Sequence, residues 1–425
     1  MAESRVFIFL QGPDSFFSRH FASYLEQQGA TCLRINLCFS DWLYWLGKTS
    51  VNYRGTFEQW PEFLKSFVLE NNVTTILYYA DCFPYHKVAR EVAAELSIDA
   101  VAYENGYLRP NWLTIEKGGM SRYSSFPSDP DEILQKAKGL PAPEDRPIPS
   151  ANFWVEAFWE VTCHLGNYFF HWTFHRYHAD KYYNPLRDYL SIIPRLFNEK
   201  KAEKHAEQVI DRLINSGTGY WVFPMQMQND YQLRENAAFN HQSEAMEMVM
   251  QHFAHSAPEN DKLIYKIHPA DNGIEPWGKI LARLENEYRL EGRVEFIDGG
   301  NLMKLVNHSK GVFTINSTVG LHALQALKPV YVLGCAVYDI KGLTSDQTLA
   351  DFFKAPVAPD ENLLNAYVNL LAASIQVKGN WFTKAGREIA ITGLADKLLN
   401  NQVNSHGTYA DNPQRNLHKC SEQHD

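Results

Sequence analysis

The chain has 425 residues, 45% of them hydrophobic and 21% charged, a composition that excludes a disordered or fibrous protein and is too long for one small core, so two domains and a tail are expected. With 40 Lys and Arg against 49 Asp and Glu the net charge is −9, which argues against nucleic acid as a partner because no basic stripe offsets it. Six cysteines, Cys32, Cys38, Cys82, Cys163, Cys335 and Cys420, lack metal-type or disulfide-type spacing, no apolar run approaches bilayer-crossing length, and Met1 to Leu10 enters a strand without signal-peptide features, so a cytoplasmic protein, soluble or peripheral, is expected.

In chain order, residues 5–10 read as a buried strand, Gln11-Gly-Pro13 as a turn, and Ser15 to Gln28 as a helix closed by Gly29. Strand Thr31 to Leu37, helix Phe57 to Asn71, strand Thr74 to Tyr79, helix Tyr85 to Leu96 and strand Ala100 to Tyr103 follow. This alternation predicts a parallel, doubly wound sheet. Residues 127–150, with Pro141-Ala-Pro143 and Pro147-Ile-Pro149, predict an extended, solvated crossing. Residues 151–216 carry helical apolar spacing and a crowd of aromatic side chains.

A second α/β series then begins, with strands Tyr220 to Met225, Lys262 to Ile267 and Val294 to Phe296 and helices near Gln242 to Ala254 and Trp277 to Glu287. It ends in a βαβ unit from Gly311 to Leu333. The expected fold class is α/β, two Rossmann-type lobes with parallel sheets facing across a cleft, and the expected division is 1–200, 201–355, C-terminal helices 356–402 and a disordered tail 403–425.

Four stretches carry chemistry. Asn316, Ser317 and Thr318 open a helix at the carboxyl end of a strand, where unpaired N–H groups can hold a phosphate or carboxylate; an ordinary N-cap has the same pattern. Gln226 to Arg234 follows a strand end and offers one carboxylate, Asp230, able to act as a nucleophile, to face an oxocarbenium-like centre, or simply to cap a helix. Lys266 and His268 stand at another strand end, where they can neutralise a leaving phosphate. Glu104, Arg109 and Glu116 surround Gly106 past a further strand, suited to sugar hydroxyls and an acidic group, or to a local ion pair. Asp129-Pro130-Asp131 matches a metal pattern without the strand that should precede it. His164, His171, His175 and His178 fall on one helical face, which reads as an aromatic helix lining the cleft rather than a zinc site. No Walker loop, dinucleotide glycine fingerprint or Gly-x-Ser-x-Gly elbow is present.

Phe9-Leu-Gln-Gly-Pro13 with Phe16-Phe17, Arg34-Ile-Asn36, Glu104 to Pro110 with Trp112 and Glu116, Gln226 to Arg234, Lys266-Ile-His-Pro269 and Asn316 to Gly320 through Tyr338-Asp339 and Gly342-Leu-Thr344 run in one order. Together they resemble the KpsS-type capsule polysaccharide proteins, β-Kdo transferases of Gram-negative capsule assembly. The resemblance implies a GT-B-like pair of lobes, the first on the acceptor side and the second binding CMP. It implies a retaining transfer of Kdo from CMP-β-Kdo to a phosphatidylglycerol or lyso-phosphatidylglycerol acceptor. Asp230 is then the candidate nucleophile and His268 the group at the nucleotide phosphate, with Glu104 and Glu116 as rival carboxylates. Lys266, Asn316, Ser317, Thr318 and Gln226 are assigned to CMP, and Gln11, Arg109, Glu116 and Arg234 to the sugar or acceptor. A helix N-terminus with His268 and Lys266 can balance CMP without a metal or other cofactor. The implied partners are the inner-membrane surface, a KpsC-type transferase and an ABC exporter. The alternative is a non-catalytic adaptor that binds lipid-linked capsule polymer for the exporter.

Overall fold

The computed structural model describes residues 5–144, 147–150, 152–410 and 415. Two compact units emerge. The first comprises Met1–Phe126, Gly139–Lys181 and Val368–Gln414, and the second Pro127–Lys138, Tyr182–Tyr367 and Arg415–Asp425, within the described residues.

The first unit begins with β1 (Val6–Phe9), β2 (Thr31–Asn36), β3 (Val51–Asn52), β4 (Thr75–Tyr79), β5 (Asp99–Asn105) and β6 (Trp112–Lys117). The second contains β7 (Tyr220–Pro224), β8 (Lys262–Lys266), β9 (Val294–Ile297), β10 (Gly311–Thr314) and β11 (Val330–Val332), after which β12 (Gln376–Lys378) returns to the first. Among the described residues the first sheet has the order β12-β6-β5-β4-β1-β2-β3 and the second β11-β10-β7-β8-β9. Neighbours β1 to β5 pair in parallel, as do β7 to β11, whereas β5 with β6 and β6 with β12 are antiparallel. Each parallel series therefore runs outward from a central strand in both directions, the doubly wound order expected of a Rossmann-type unit.

The register explains why β1 is apolar throughout. Ile8 lies opposite Leu33 and Ile76 between two parallel neighbours. Phe7 and Phe9 join a core with the helices Phe17–Gln27 and Lys384–Leu399, while Val6 and Ile8 face Leu64, Ala89 and Val92 on the other side. A strand covered on both faces loses the polar alternation of a half-exposed one, and each buried side chain of this size stabilises by about 1.5–3 kcal/mol. In the second unit Trp221, Phe223, Tyr265 and Phe313 pack with Met246, Val249 and Phe352, and Ala206, Val209 and Ile210 of the helix Pro185–Ser216 are likewise buried.

Several expectations change. Residues 356–402 are not a separate helical stretch, because Val368 onward belongs to the first unit, where Val377, Trp381, Leu394 and Leu398 complete its core. The crossing contains the helix Pro130–Lys136, with Ile133 buried and Asp129 accepting from the Glu132 amide, so the Asp129 carboxylate is an N-cap. The helix Phe153–Phe169 ends before His171, so the four histidines share no helical face. Residues 403–410 pack rather than dangle: Asn404 is buried and its Oδ1 accepts from the Lys117 amide at 2.8 Å. Residues 411–414 and 416–425, where the rest of the predicted tail and Cys420 fall, lie outside the described residues.

Candidate functional site

In the second sheet the winding reverses between β7 and β10, and the crevice outside the carboxyl ends of two such strands is where open α/β sheets hold ligands. Gln226 follows β7 and Asn316 follows β10. Their amides join there: Gln226 Nε2 donates to Asn316 Oδ1 at 2.8 Å, and the Asn316 backbone N–H donates to Gln226 Oε1 at 3.2 Å. Asn316 Nδ2 also donates to the carbonyl of Gln232 at 2.8 Å. Buried Gln242 holds the Gln226 backbone from the other side, accepting from its N–H at 2.7 Å and donating to its carbonyl at 3.1 Å. The side chains of Gln226 and Asn316, expected to contact a nucleotide, instead brace the two loops; a side-chain amide whose donor and acceptor are both engaged shapes a site more than it binds within it.

The braced loop carries Asp230, half-buried at the start of the short helix Tyr231–Glu235, where its Oδ1 accepts from the Gln232 amide at 2.9 Å. The capping role foreseen for this residue is therefore present. Arg234 lies one turn later with its guanidinium carbon 5.2 Å from the Tyr231 ring centroid and 5.5 Å from that of Tyr182. Such stacking keeps a cation charged and oriented.

Beyond β10, Ser317 N–H donates to Thr314 Oγ1 at 3.1 Å and Ser317 Oγ accepts from the Val319 amide at 3.2 Å. Thr318 is half-buried immediately before the helix Val319–Gln325. Tyr338 donates its hydroxyl to the Ser317 carbonyl. Gly320 permits this approach, since a Cβ there would meet the Tyr338 hydroxyl at 2.3 Å.

Across β7 from β10, β8 delivers Lys266, His268 and Pro269, so the two loops stand about two strand spacings, roughly 10 Å, apart at their roots. Lys266 is buried, and burial pulls its ammonium pKa below the ordinary value while Glu203 and Asp298 oppose the shift. His268 Nδ1 accepts from the Ala270 amide at 3.1 Å, which places the proton of the neutral ring on Nε2 as a donor.

The organiser of this loop is Arg195, which the sequence reading missed. Its guanidinium forms a two-pronged pair with Asp298 at 2.9 and 2.6 Å and donates to the carbonyls of His268, Pro269 and Asp271 at 2.9, 2.9 and 2.5 Å. No local motif signals it, because it sits after Pro194 inside the long helix Pro185–Ser216 and meets partners more than 70 residues away. Buried Asp271 continues the loop, its carboxyl pKa raised by burial despite donors from Gly273 and Trp277 Nε1 at 2.8 and 3.1 Å.

The remaining predicted residues belong to the first unit. Glu116, on β6, is wholly buried, with its carboxylate accepting from the hydroxyls of Ser124 at 2.5 Å and Tyr107 at 3.4 Å. With no exposed surface it stands as a core carboxylate in this structure, not open to a substrate as the sequence suggested. Glu104 is half-buried on β5, and Arg109 is exposed on the following loop, donating to the Gly106 carbonyl at 3.3 Å. Both act on the Tyr79 hydroxyl, whose pKa is pushed far up by burial first and by Glu104 next, with Arg109 opposing. Gln11 follows β1 and donates to the Tyr177 hydroxyl at 3.1 Å.

Residues 74–382 match the model of a family described as capsule polysaccharide biosynthesis protein. The capsule polysaccharide export protein KpsS of Escherichia coli is 31% identical over 385 residues, 90% of this chain and 98% of that protein. The capsule polysaccharide modification protein LipB of Neisseria meningitidis serogroup A is 30% identical over 391 residues, 89% of this chain and 91% of the relative. Among solved structures, the β-Kdo 2,7 transferase of Thermosulfurimonas dismutans KpsC aligns over 93% of this chain and 99% of its own, with 14% identity and a TM-score of 0.48. On the strength of the family match and of relatives covered over nearly their full length, this chain belongs to the capsule polysaccharide biosynthesis protein family.

Proposed function

We propose that the protein is a retaining β-Kdo transferase that moves Kdo from CMP-β-Kdo to a phosphatidylglycerol-type lipid, beginning the linker on which capsule is built and exported. The observation that carries this reading is that the segments bearing Asp230, Lys266 with His268, and the Ser317–Thr318 turn lie at or just beyond the carboxyl ends of three neighbouring parallel strands, β7, β8 and β10, with the winding reversing between β7 and β10. CMP departs as a phosphate monoester. Lys266, together with the Nε2–H of His268, supplies positive charge and a hydrogen bond where that charge develops. Arg195 supports the reading by fixing the His268 carbonyl and hence the ring's aim.

In the proposed reaction Asp230 attacks the anomeric carbon, the bond to the CMP phosphate oxygen breaks and CMP leaves, and the acceptor hydroxyl then displaces the carboxylate while giving up its proton to solvent, with net retention. Arg234, one turn after Asp230, would then meet the Kdo carboxylate.

The reading extends to a cytoplasmic protein resting on the inner-membrane surface beside a KpsC-type transferase and an ABC exporter. No helix among the described residues is long and apolar enough to cross a membrane, whereas Trp154, Phe158 and Trp172 are 64%, 61% and 65% exposed. The similarity to an E. coli capsule polysaccharide export protein favours a second reading, a non-catalytic adaptor for lipid-linked polymer.

One assay separates the two: purified protein, CMP-Kdo generated in place by a coupled synthetase, and fluorescent lyso-phosphatidylglycerol, followed by mass spectrometry. The expected product is heavier by one Kdo. Asp230→Ala is expected to lower turnover by more than roughly a hundredfold with an unchanged circular dichroism spectrum. Absence of product from the wild type would favour the adaptor, and a fully active variant would remove Asp230 as nucleophile.

A further inference from the structure

We propose that Asp14, Cys163 and His164 form a zinc-type divalent cation site in the first unit, separate from the residues assigned above to the sugar nucleotide. Asp14 follows the turn after β1, and Cys163 and His164 are consecutive on the helix Phe153–Phe169. A carboxylate oxygen, a thiol sulfur and an imidazole nitrogen from the three lie within 4.8 Å of one another. One oxygen, one sulfur and one nitrogen make a borderline-soft donor set, which favours zinc over magnesium or calcium. Ligand atoms around tetrahedral zinc stand about 3.3–3.8 Å apart. Closure thus takes a shift of no more than about 1.5 Å, available to Asp14 and His164, which are only half-buried, around a buried Cys163.

The surroundings hold the sulfur in place. Asn167 Nδ2 donates to Cys163 Sγ at 3.7 Å and to Ser40 Oγ at 3.0 Å, while Asn167 Oδ1 accepts from the Ser40 amide at 2.8 Å. Outer partners of this kind orient a ligand before the ion arrives. Positive charge is already drawn to the cluster: Lys181 Nζ donates to His164 Nε2 at 2.8 Å, so that nitrogen presents its lone pair to a cation. Lys181 acts as the resident monovalent cation that a metal displaces.

A lysine ammonium can only donate, so the His164 ring that receives it holds a lone pair on Nε2, as a ligand must, and binding of the ion releases the thiol proton to solvent. Three protein ligands leave one position for water. The ion would tie the helix Phe153–Phe169 to the β1 loop that also carries Gln11.

The test is titration of the full-length, metal-stripped protein with Co²⁺, reading the thiolate-to-cobalt charge-transfer absorption, then displacement by Zn²⁺. One equivalent is expected to bind. The band should vanish in Cys163→Ser, affinity should fall more than about tenfold in Asp14→Asn and His164→Gln, and Lys181→Met should bind more tightly because its competitor is gone. Apo-state melting curves establish that each variant folds, and Asp14→Asn, at a half-exposed position, serves if Cys163→Ser does not. A wild type with no charge-transfer band, a band retained in Cys163→Ser, affinity unchanged in Asp14→Asn, or binding no tighter in Lys181→Met overturns the proposal.

Discussion

At the scale of single residues, burial decides which titratable groups are poised and which are sealed. His86 is wholly buried, stacks on Tyr78 at 4.9 Å, and holds Ala80 O at 2.8 Å through Nδ1; its Nε2 has no hydrogen-bond partner among the described residues. Burial lowers its pKa from 6.5 to about 4. A histidine depressed in the folded state contributes stability that is complete above the unfolded value and lost as pH falls through the folded one. Between pH 6.5 and 4 the protein is expected to lose about 3 kcal/mol from this ring alone. In His86→Asn, which keeps a donor toward Ala80, the urea midpoint measured across that range should depend less steeply on pH than in the wild type. Parallel curves would show that the ring is not held neutral. The sequence marks Gln226, Asn316 and Glu116 as polar residues at strand ends or on strands, but not that the first two bind each other or that the third is enclosed by Ser124 and Tyr107.

At the scale of elements, the long helix Pro185–Ser216 and the shorter Phe153–Phe169 each have a split character. Ala206, Val209, Ile210 and Leu213 of the former are buried, whereas Leu190 and Phe197 near its start are 63% and 87% exposed, followed by exposed Lys200, Lys201 and Lys204. Apolar side chains beside lysines suit the boundary of an anionic bilayer. On the reading of a lipid acceptor, the protein is expected to co-sediment with phosphatidylglycerol vesicles. The triple variant Trp154→Ser, Phe158→Ser, Trp172→Ser should lower the bound fraction's partition coefficient more than roughly tenfold without altering the melting temperature, since all three side chains are exposed. Equal partition by variant and wild type would remove this helix and its turn from any membrane contact. Helical spacing was legible here because the period repeats over many residues; the break at Phe170 was not, and so four histidines seemed to share a face that the helix never completes.

At the scale of the whole molecule, the chain's return to its first unit has the largest consequence. β12 pairs with β6 through Val377 opposite Leu113, and the helix Lys384–Leu399 packs on Phe17–Gln27. A chain ended at Ser374 loses Val377, Trp381, Ile391 and Leu394 from that core. Limited proteolysis is then expected to digest the first unit while leaving a protected fragment near residues 182–367. Full-length resistance in the truncated protein would mean that the first unit stands without its C-terminal strand and helix.

The sequence by itself determined the α/β class, the two parallel series and the strand ends that carry Asp230, Lys266, His268 and the Ser317–Thr318 turn, because these follow from apolar runs and the turns after them, which are local. Only the tertiary structure decided that Arg195 clamps the His268 loop, that Gln226 braces Asn316, that Glu116 is sealed, and that Asp14 meets Cys163 and His164. Those contacts join positions from 8 to about 150 residues apart, and they depend on which helices, strands and loops pack side by side, which local spacing does not encode.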